Sequence, residues 1–237
     1  TEAVHQKLMQ EMTCFSPASI ELEHKVQASV QQQEINGWVL DQPLARDLCS
    51  TFKERMNDIE EILQKRFQPI VHERWSEKTG KRLKDKVEVF NVGSRQQIAK
   101  RLSSLGVRFD KLTEKGNPIV DEAVLDTIDL PEAKIVSEYL MLQKRYAQVN
   151  SWLEHVQEDG RVHGRVISNG AVTGRMTHQS PNMAQVPASH SPYGHECRSC
   201  WTVPEGKKLV GFDASGLELR MLAHYMKDED YTNEIIN

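Results

Sequence analysis

No run of about 18 apolar residues occurs in the chain, so nothing in it reads as a membrane-spanning helix. The start, Thr1-Glu2-Ala3-Val4-His5, lacks both an initiator Met and the charged-then-apolar pattern of a secretory signal; a trimmed or processed N-terminus is expected. Cysteine is scarce. Cys14, Cys49, Cys197 and Cys200 are too few among 237 residues for a disulfide scaffold, and a reducing cytoplasm is the expected compartment. No charge of one sign dominates: the formal net charge of -4 does not by itself announce a partner for polyanions. Internal repeats and low-complexity tracts are absent as well.

What remains is the composition of a soluble globular chain, long enough to bury a core in one or two domains. Its charge is uneven. Arg74, Lys78, Lys81, Arg82, Lys84 and Lys86 crowd one segment, and Arg95, Lys100, Arg101, Arg108, Lys111 and Lys115 follow it. A basic stretch in an otherwise acidic chain suits either a phosphate-facing surface or a solvated face.

Residues up to about 157 carry helical periodicity. Ile20, Leu22, Val26 and Val30 share one face of a helix that Asn36-Gly37 ends. Leu44, Leu48, Phe52, Met56, Ile59 and Leu63 recur every three or four residues, as an amphipathic helix of about six turns requires. Residues 67–90 are polar, basic and irregular, with a turn at Thr79-Gly80. Ser94-Arg95-Gln96-Gln97 predicts a capping box opening a helix that Gly106 closes. Pro131 suits a first helical turn. Behind it Ile135, Tyr139, Leu142, Tyr146, Val149 and Leu153 form a seam for a neighbouring helix, which an antiparallel partner would fit. Lys144 and Arg145 fall off that seam, where they can face a partner.

At Asp159-Gly160 the pattern changes to short extended pieces, Arg161–Ile167, Arg198–Val203 and Lys207–Phe212, punctuated by Asn169-Gly170, Thr173-Gly174 and Pro204-Glu205-Gly206. The expectation is an α+β chain with a domain boundary near 157. Cys197 and Cys200, three apart on an expected strand, would point to opposite faces and read as packing rather than zinc ligands.

Three segments carry chemistry. Val172-Thr173-Gly174-Arg175 combines a close backbone approach with a planar donor fork suited to a phosphate or base edge. Pro181-Asn182-Met183-Ala184-Gln185-Val186-Pro187 sets two amides in a stretch bounded by prolines. Lys208–Arg220 runs through an apolar stretch to Asp213, turns through small residues, and opens a helix with Glu218; a carboxylate there is either a metal ligand or a helix cap.

Together and in this order the segments resemble the family A DNA polymerases, the group containing bacterial DNA polymerase I and the T7-like phage enzymes. Asp213-Ala214-Ser215-Gly216-Leu217-Glu218-Leu219-Arg220 resembles the first palm motif. Gly170–Arg175, Ser191-Pro192-Tyr193-Gly194 and Leu222-Ala223-His224-Tyr225-Met226 point to the T7-like branch, and Val89–Arg95 and Glu138–Arg145 are similar to its thumb. The resemblance covers residues 18–237. It implies a helical thumb over 18–157, part of an antiparallel-sheet palm over 158–237, and, in 1–17, the trailing helix of an exonuclease domain.

The resemblance also implies roles. Asp213 and the Ala214 carbonyl would hold the two catalytic Mg²⁺ ions, with Asp213 and Glu218 as catalytic residues, and Glu218 would crowd out a 2′-hydroxyl on the incoming deoxynucleoside triphosphate. Arg175 would enter the minor groove at the primer end. Asn182, Gln185, Lys144 and Arg145 would touch primer–template DNA nearby, and Asn91, Ser94 and Arg95 would hold the duplex backbone. Arg220 would make an ion pair within the palm. His190 stands where relatives carry an Arg, so a phosphate contact there would be weaker and pH-sensitive.

Fingers and a second metal carboxylate are expected from a further C-terminal segment, without which the chain is expected to be inactive. Only the short basic stretch 67–88 stands in place of the thioredoxin-binding insertion, so thioredoxin is not an expected partner. The expected location is the cytoplasm of a bacterium or phage-infected cell. A reading from another class is a non-catalytic DNA-binding or processivity subunit derived from a polymerase thumb.

Overall fold

A computed structural model describes residues 1–236 and divides the chain into two compact units, Thr1–Thr202 and Val203–Asn237. The first opens with α1 (Glu2–Glu11), a 3₁₀ turn and α2 (Pro17–Asn36). Ser16 caps α2, its Oγ accepting from the Ser19 N–H at 3.1 Å, with Pro17 in the first turn. The expected apolar face of α2 is used in part: Val30 is buried and Ile20 and Val26 are half-buried, but Leu22 is 59% exposed. The helix ties to the unit near its C-terminal end, where the Glu34 side chain accepts from the Val166 N–H at 2.6 Å.

After β1 (Trp38–Leu40), Asp41 caps α3 (Gln42–Arg66) by accepting from the Leu44 N–H at 3.1 Å. The predicted stripe holds: Leu48, Phe52, Ile59 and Leu63 are buried and Met56 half-buried, while Leu44 at the helix start is 38% exposed. The segment expected to be irregular is instead an antiparallel hairpin, β2 (Ile70–Trp75) and β3 (Arg82–Glu88), with a register shift between His72 and Arg74. Val71 stands opposite Val87, a β-branched pair that the surrounding cationic residues mask in the sequence.

Next come α4 (Arg95–Ser103), α5 (Glu122–Asp126), α6 (Pro131–Glu154), β4 (Arg161–Val162), β5 (Arg165–Ile167), β6 (Thr177–Gln179), α7 (Gly194–Ser199) and β7 (Trp201–Thr202). The α+β class is therefore correct, with small antiparallel sheets ordered β4-β1-β7, β2-β3 and β5-β6 among the described residues. The first sheet takes its middle strand from before residue 157 and its outer strands from after it. Arg161–Ile167 is split between two sheets, and Arg198–Ser199 belongs to α7 rather than to a strand.

The core is built on α3 against α6. Contacts pair early residues of one with late residues of the other. The Lys53 ammonium lies 5.0 Å from the Tyr146 ring centre; Arg55 grips Glu138 at 2.7 and 3.1 Å; the Tyr139 hydroxyl donates to Glu60 at 2.6 Å; Arg66 meets Glu132 at 2.5 Å. The helices therefore run antiparallel, as the seam suggested. Tyr139, Leu142 and Val149 are buried. Burial and the bond to Glu60 raise the Tyr139 phenol above its ordinary range. At the ends of this packing Phe52 meets Tyr193 edge-on at 5.0 Å, and Trp152 meets Trp201 at 5.0 Å.

Cys197 and Cys200 do not point to opposite faces. They lie in and just after α7, where residues three apart share a side, and both are buried in the same core as Cys49. Burial pushes the Cys197 thiol up to about 11 and that of Cys200 up to about 12.

The second unit contains α8 (Leu217–Met226) and α9 (Glu229–Ile236). The expected strand Lys207–Phe212 pairs with nothing among the described residues, and Val210 and Phe212 are 86% and 96% exposed. An extended run without a ladder partner is not a strand. No helix of the described residues is long and apolar enough to cross a membrane.

The thiols give a first test. At pH 8 a thiol reagent should modify exposed Cys14 rapidly and Cys49, Cys197 and Cys200 only on unfolding; rapid native-state labelling of more than one thiol, counted by intact mass, contradicts the fold. A thiol whose folded pKa is raised contributes stability that is complete below the unfolded value. The Cys200 contribution should therefore fade as pH rises from the ordinary 9.0 toward about 12, read as a falling denaturation midpoint.

Candidate nucleic-acid interface

The side of α6 away from the seam carries Lys144, Arg145, Gln148 and Ser151, and these residues form one wall of a cleft of about 410 Å³. Pro181, Asn182 and Gln185 form the other. Four residues predicted from separate segments, Lys144, Arg145, Asn182 and Gln185, thus meet at one place. The local reason is an alternation of anchors and amides. Pro181 and Pro187 are buried and Met183 and Val186 half-buried, which leaves Asn182 and Gln185 pointing outward.

The loop is held by its backbone carbonyls, not by its amide side chains. Gln148 Nε2 donates to the Gln185 carbonyl at 2.6 Å, Arg198 Nε to that of Pro187 at 2.7 Å, and Arg145 Nε to that of Pro192 at 3.2 Å. Arg145 thus spends one donor on structure. Asn182 makes one local bond, accepting from the Ala184 N–H at 3.0 Å. Gln148 and Arg198 are not among the residues that the sequence singles out. For Gln148 the available signal is its place one turn beyond Lys144 on the same helix side.

Asn91 and Ser94 sit on the loop into α4, which lies against α6 near Gln143, and Arg95 is the first residue of that helix. Ser94 caps α4 as predicted, accepting from the Gln97 N–H at 3.4 Å. The reciprocal half of the box is different: the Gln97 side chain takes the Asn91 N–H at 2.7 Å, not that of Ser94. Arg95 donates to the Val120 carbonyl and so fastens the loop rather than leaving its whole fork to a ligand. Arg175 lies on the exposed connection between β5 and β6, closed by the Ala171 N–H donating to the Arg175 carbonyl at 3.1 Å.

In the second unit Gly216, in the left-handed conformation at φ 60°, precedes α8 as its cap residue. Asp213 is three residues earlier, exposed, and no donor among the described residues reaches its carboxylate. The helix-cap alternative for Asp213 is thereby excluded. Glu218 lies in the first turn of α8. Arg220 makes no ion pair with an acid among the described residues; its Nε donates to the Ser215 carbonyl at 3.0 Å and braces the turn after Asp213.

The family model for DNA polymerase family A matches residues 53–236. The chain belongs to DNA polymerase family A. Among curated family members, the DNA-directed DNA polymerases of Enterobacteria phage T3 and Escherichia phage T7 are each 46% identical over 170 residues, covering 63% of this chain and 24% of theirs. The thermostable DNA polymerase I of Thermus aquaticus is 32% identical over 149 residues, covering 60% of this chain and 18% of its own. The chain thus spans about a quarter of the length of the phage relatives it matches. A solved family A structure shares the fold: the POL domain of Pol1 from M. smegmatis, in complex with DNA primer-template and dNTP, matches with a TM-score of 0.71 at 21% identity, covering 87% of this chain and 34% of that one.

Close packing holds the end of the amide loop to α7. A Cβ built on Gly194 would stand 1.8 Å from the Ala188 carbonyl oxygen, a backbone atom that cannot swing aside. Gly194→Ala should cost about 1–3 kcal/mol by urea denaturation, the range of overpacked positions. An unchanged midpoint contradicts the packing described.

Proposed function

We propose that this chain is the thumb and N-terminal palm portion of a T7-like family A DNA polymerase, with the trailing helix of an exonuclease domain in 1–17, the thumb in 18–157 and the palm beginning at 158. The whole enzyme extends a primer 3′-end: the 3′-oxygen attacks the α-phosphorus of a deoxynucleoside triphosphate, and pyrophosphate leaves as the old P–O bond breaks. The observation that carries this reading is the cleft that unites Lys144, Arg145, Asn182 and Gln185, motifs that lie far apart in the sequence.

Each residue has a physical task. Lys144 and the free donors of Arg145 neutralise backbone phosphates, a sequence-blind, salt-sensitive contact. Asn91, Ser94 and Arg95 extend that hold along the duplex. Asn182 and Gln185 offer amides to the primer–template junction. Arg175 donates into the minor groove, where every correct pair presents an acceptor, so it senses pair geometry without reading sequence. Glu218 occupies the space a 2′-hydroxyl would need.

Asp213 and the Ala214 carbonyl fit a divalent cation: they are hard oxygen donors, and the carboxylate is exposed and uncommitted to a cap. Two bound Mg²⁺ ions supply the charge neutralisation that phosphoryl transfer requires. Leu209, Val210, Phe212, Leu217 and Leu219 are exposed in the second unit, an apolar surface that a further palm segment with fingers and the second carboxylate covers in the whole enzyme. The enzyme works in the cytoplasm of a bacterium or phage-infected cell.

The test is Asp213→Ala in the chain joined to its fingers-bearing segment. Single-turnover primer extension should fall by more than about a thousand-fold, the scale of several kcal/mol of lost charge stabilisation, with duplex affinity unchanged within about two-fold. Retained extension defeats the assignment of Asp213. If duplex affinity is present but no segment confers synthesis on the parent chain, the DNA-binding subunit reading replaces the enzyme.

A further inference from the structure

Helix α2 has no cation of its own in its last turn. The carbonyls at that end lack intrahelical donors and carry the negative end of the helix dipole. Two side chains distant in sequence supply what the helix lacks. Arg161 Nη1 donates to the Asn36 carbonyl at 2.9 Å, and His163 Nδ1 lies 2.7 Å from the Glu34 carbonyl.

The other ring nitrogen of His163 is engaged as well, with Nε2 3.1 Å from Asp159 Oδ2. Both facing atoms are acceptors. A neutral imidazole carries one N–H and can serve one of them; the imidazolium serves both. The ring is closely held. A Cβ built on Gly37, the residue that ends α2 at φ 59°, would stand 2.7 Å from ring atoms Cε1 and Nδ1. The His163 side chain is 17% exposed.

The charged groups around the ring come from α2, from the turn before β4 and from β4 itself. The Glu34 carboxylate is turned to the Val166 N–H at 2.6 Å. Arg161 opposes a second cation, but its Nη1 is taken by the Asn36 carbonyl and its Nε lies 4.0 Å from Asp159 Oδ2. Burial works against the Asp159 charge, yet bonds from the Arg161 N–H and His163, with the nearby Arg161 charge, hold its carboxyl below the ordinary range. Asp159 is therefore ionised wherever a histidine titrates.

The next residue reaches the α6 cleft. A Cβ on Gly164 would stand 2.6 Å from Met183 Cγ and 3.1 Å from the Pro181 carbonyl oxygen. Adjacent residues thus touch the end of α2 and the loop that bears Asn182 and Gln185.

We propose that His163 is a positioning residue: its imidazolium fastens the end of α2 to the turn before β4, and through Gly164 that fastening orders the 181–187 loop. The latch is closed below the ordinary histidine range and opens as pH rises through it. Its bearing on nucleic acid rests on the reading of that loop as a primer–template contact; the latch itself does not.

Hydrogen exchange of the full chain without nucleic acid, at roughly pH 6 and pH 8 and corrected for the intrinsic rate, reads the latch. The Gly37 N–H, bonded to the Gln33 carbonyl at 3.0 Å, and the amides of Met183, Ala184 and Gln185 should lose about ten-fold in protection at the higher pH, the equivalent of one charge-assisted bond. His163→Gln should remove the difference. Asp159→Asn should reverse it. The Asn side chain can still accept from the Arg161 N–H, which the native Oδ1 binds at 3.0 Å, but its amide donates to a neutral Nε2, so protection becomes greater at pH 8. Equal protection of the parent at both pH values, a response confined to Gly37, or an Asp159→Asn variant that responds as the parent does overturns the inference. Every arm is read without nucleic acid, so failure of the polymerase reading leaves these outcomes as they stand.

Discussion

The antiparallel packing of α6 on α3 is the constraint from which the rest follows. One side of α6 is spent on Tyr139, Leu142 and Val149 against the α3 stripe, with Arg55–Glu138 and Arg66–Glu132 fixing the register. Those ion pairs are partly exposed and add specificity more than stability; the buried apolar seam carries the energy. Because the helix cannot rotate without exposing that seam, Lys144, Arg145 and Gln148 are committed to the other side. The same commitment sets Trp152 against Trp201, which joins the helix to the β4-β1-β7 sheet.

The cleft shows how a loop without regular structure is made into a rigid platform. Its carbonyls are taken by Gln148, Arg198 and Arg145, Pro181 and Pro187 are buried, and its own amide side chains stay at the surface. Side chains that bind carbonyls are positioning groups; the exposed amides are left for a ligand. Preorganisation of this kind lowers the ordering cost that a partner would otherwise meet on binding. In the second unit, Gly216 takes over the start of α8, and Arg220 braces the preceding turn, so the Asp213 carboxylate has no structural duty.

Much of this is legible in the residues, for identifiable reasons. Helices α3 and α6 are readable because a 3.6-residue period over many turns is hard to mistake, and Ser94 and Pro131 because caps have a fixed chemistry. The hairpin is hidden because its β-branched pair, Val71 and Val87, is embedded among charges that read as loop. The strand expected at Lys207–Phe212 fails because pairing is a property of two segments, and one sequence segment shows only half of it. Cys197 and Cys200 fall to the wrong element because six residues are too few to declare a helical period. Among the site residues, those with distinctive side chains can be named from sequence. Gln148 and Arg198 act through position, which only the folded chain supplies.

Hydrogen exchange of the full chain, followed by mass spectrometry with and without primer–template duplex, addresses the α6 platform directly. Amides of the 181–193 loop and of the 91–97 turn should slow on binding, the effect fading at high salt, while those of α1 and the first turns of α2 remain unchanged. Protection confined to α1 and α2, or none in the 181–193 loop under conditions where the duplex is bound, would contradict the placement of nucleic acid on this face.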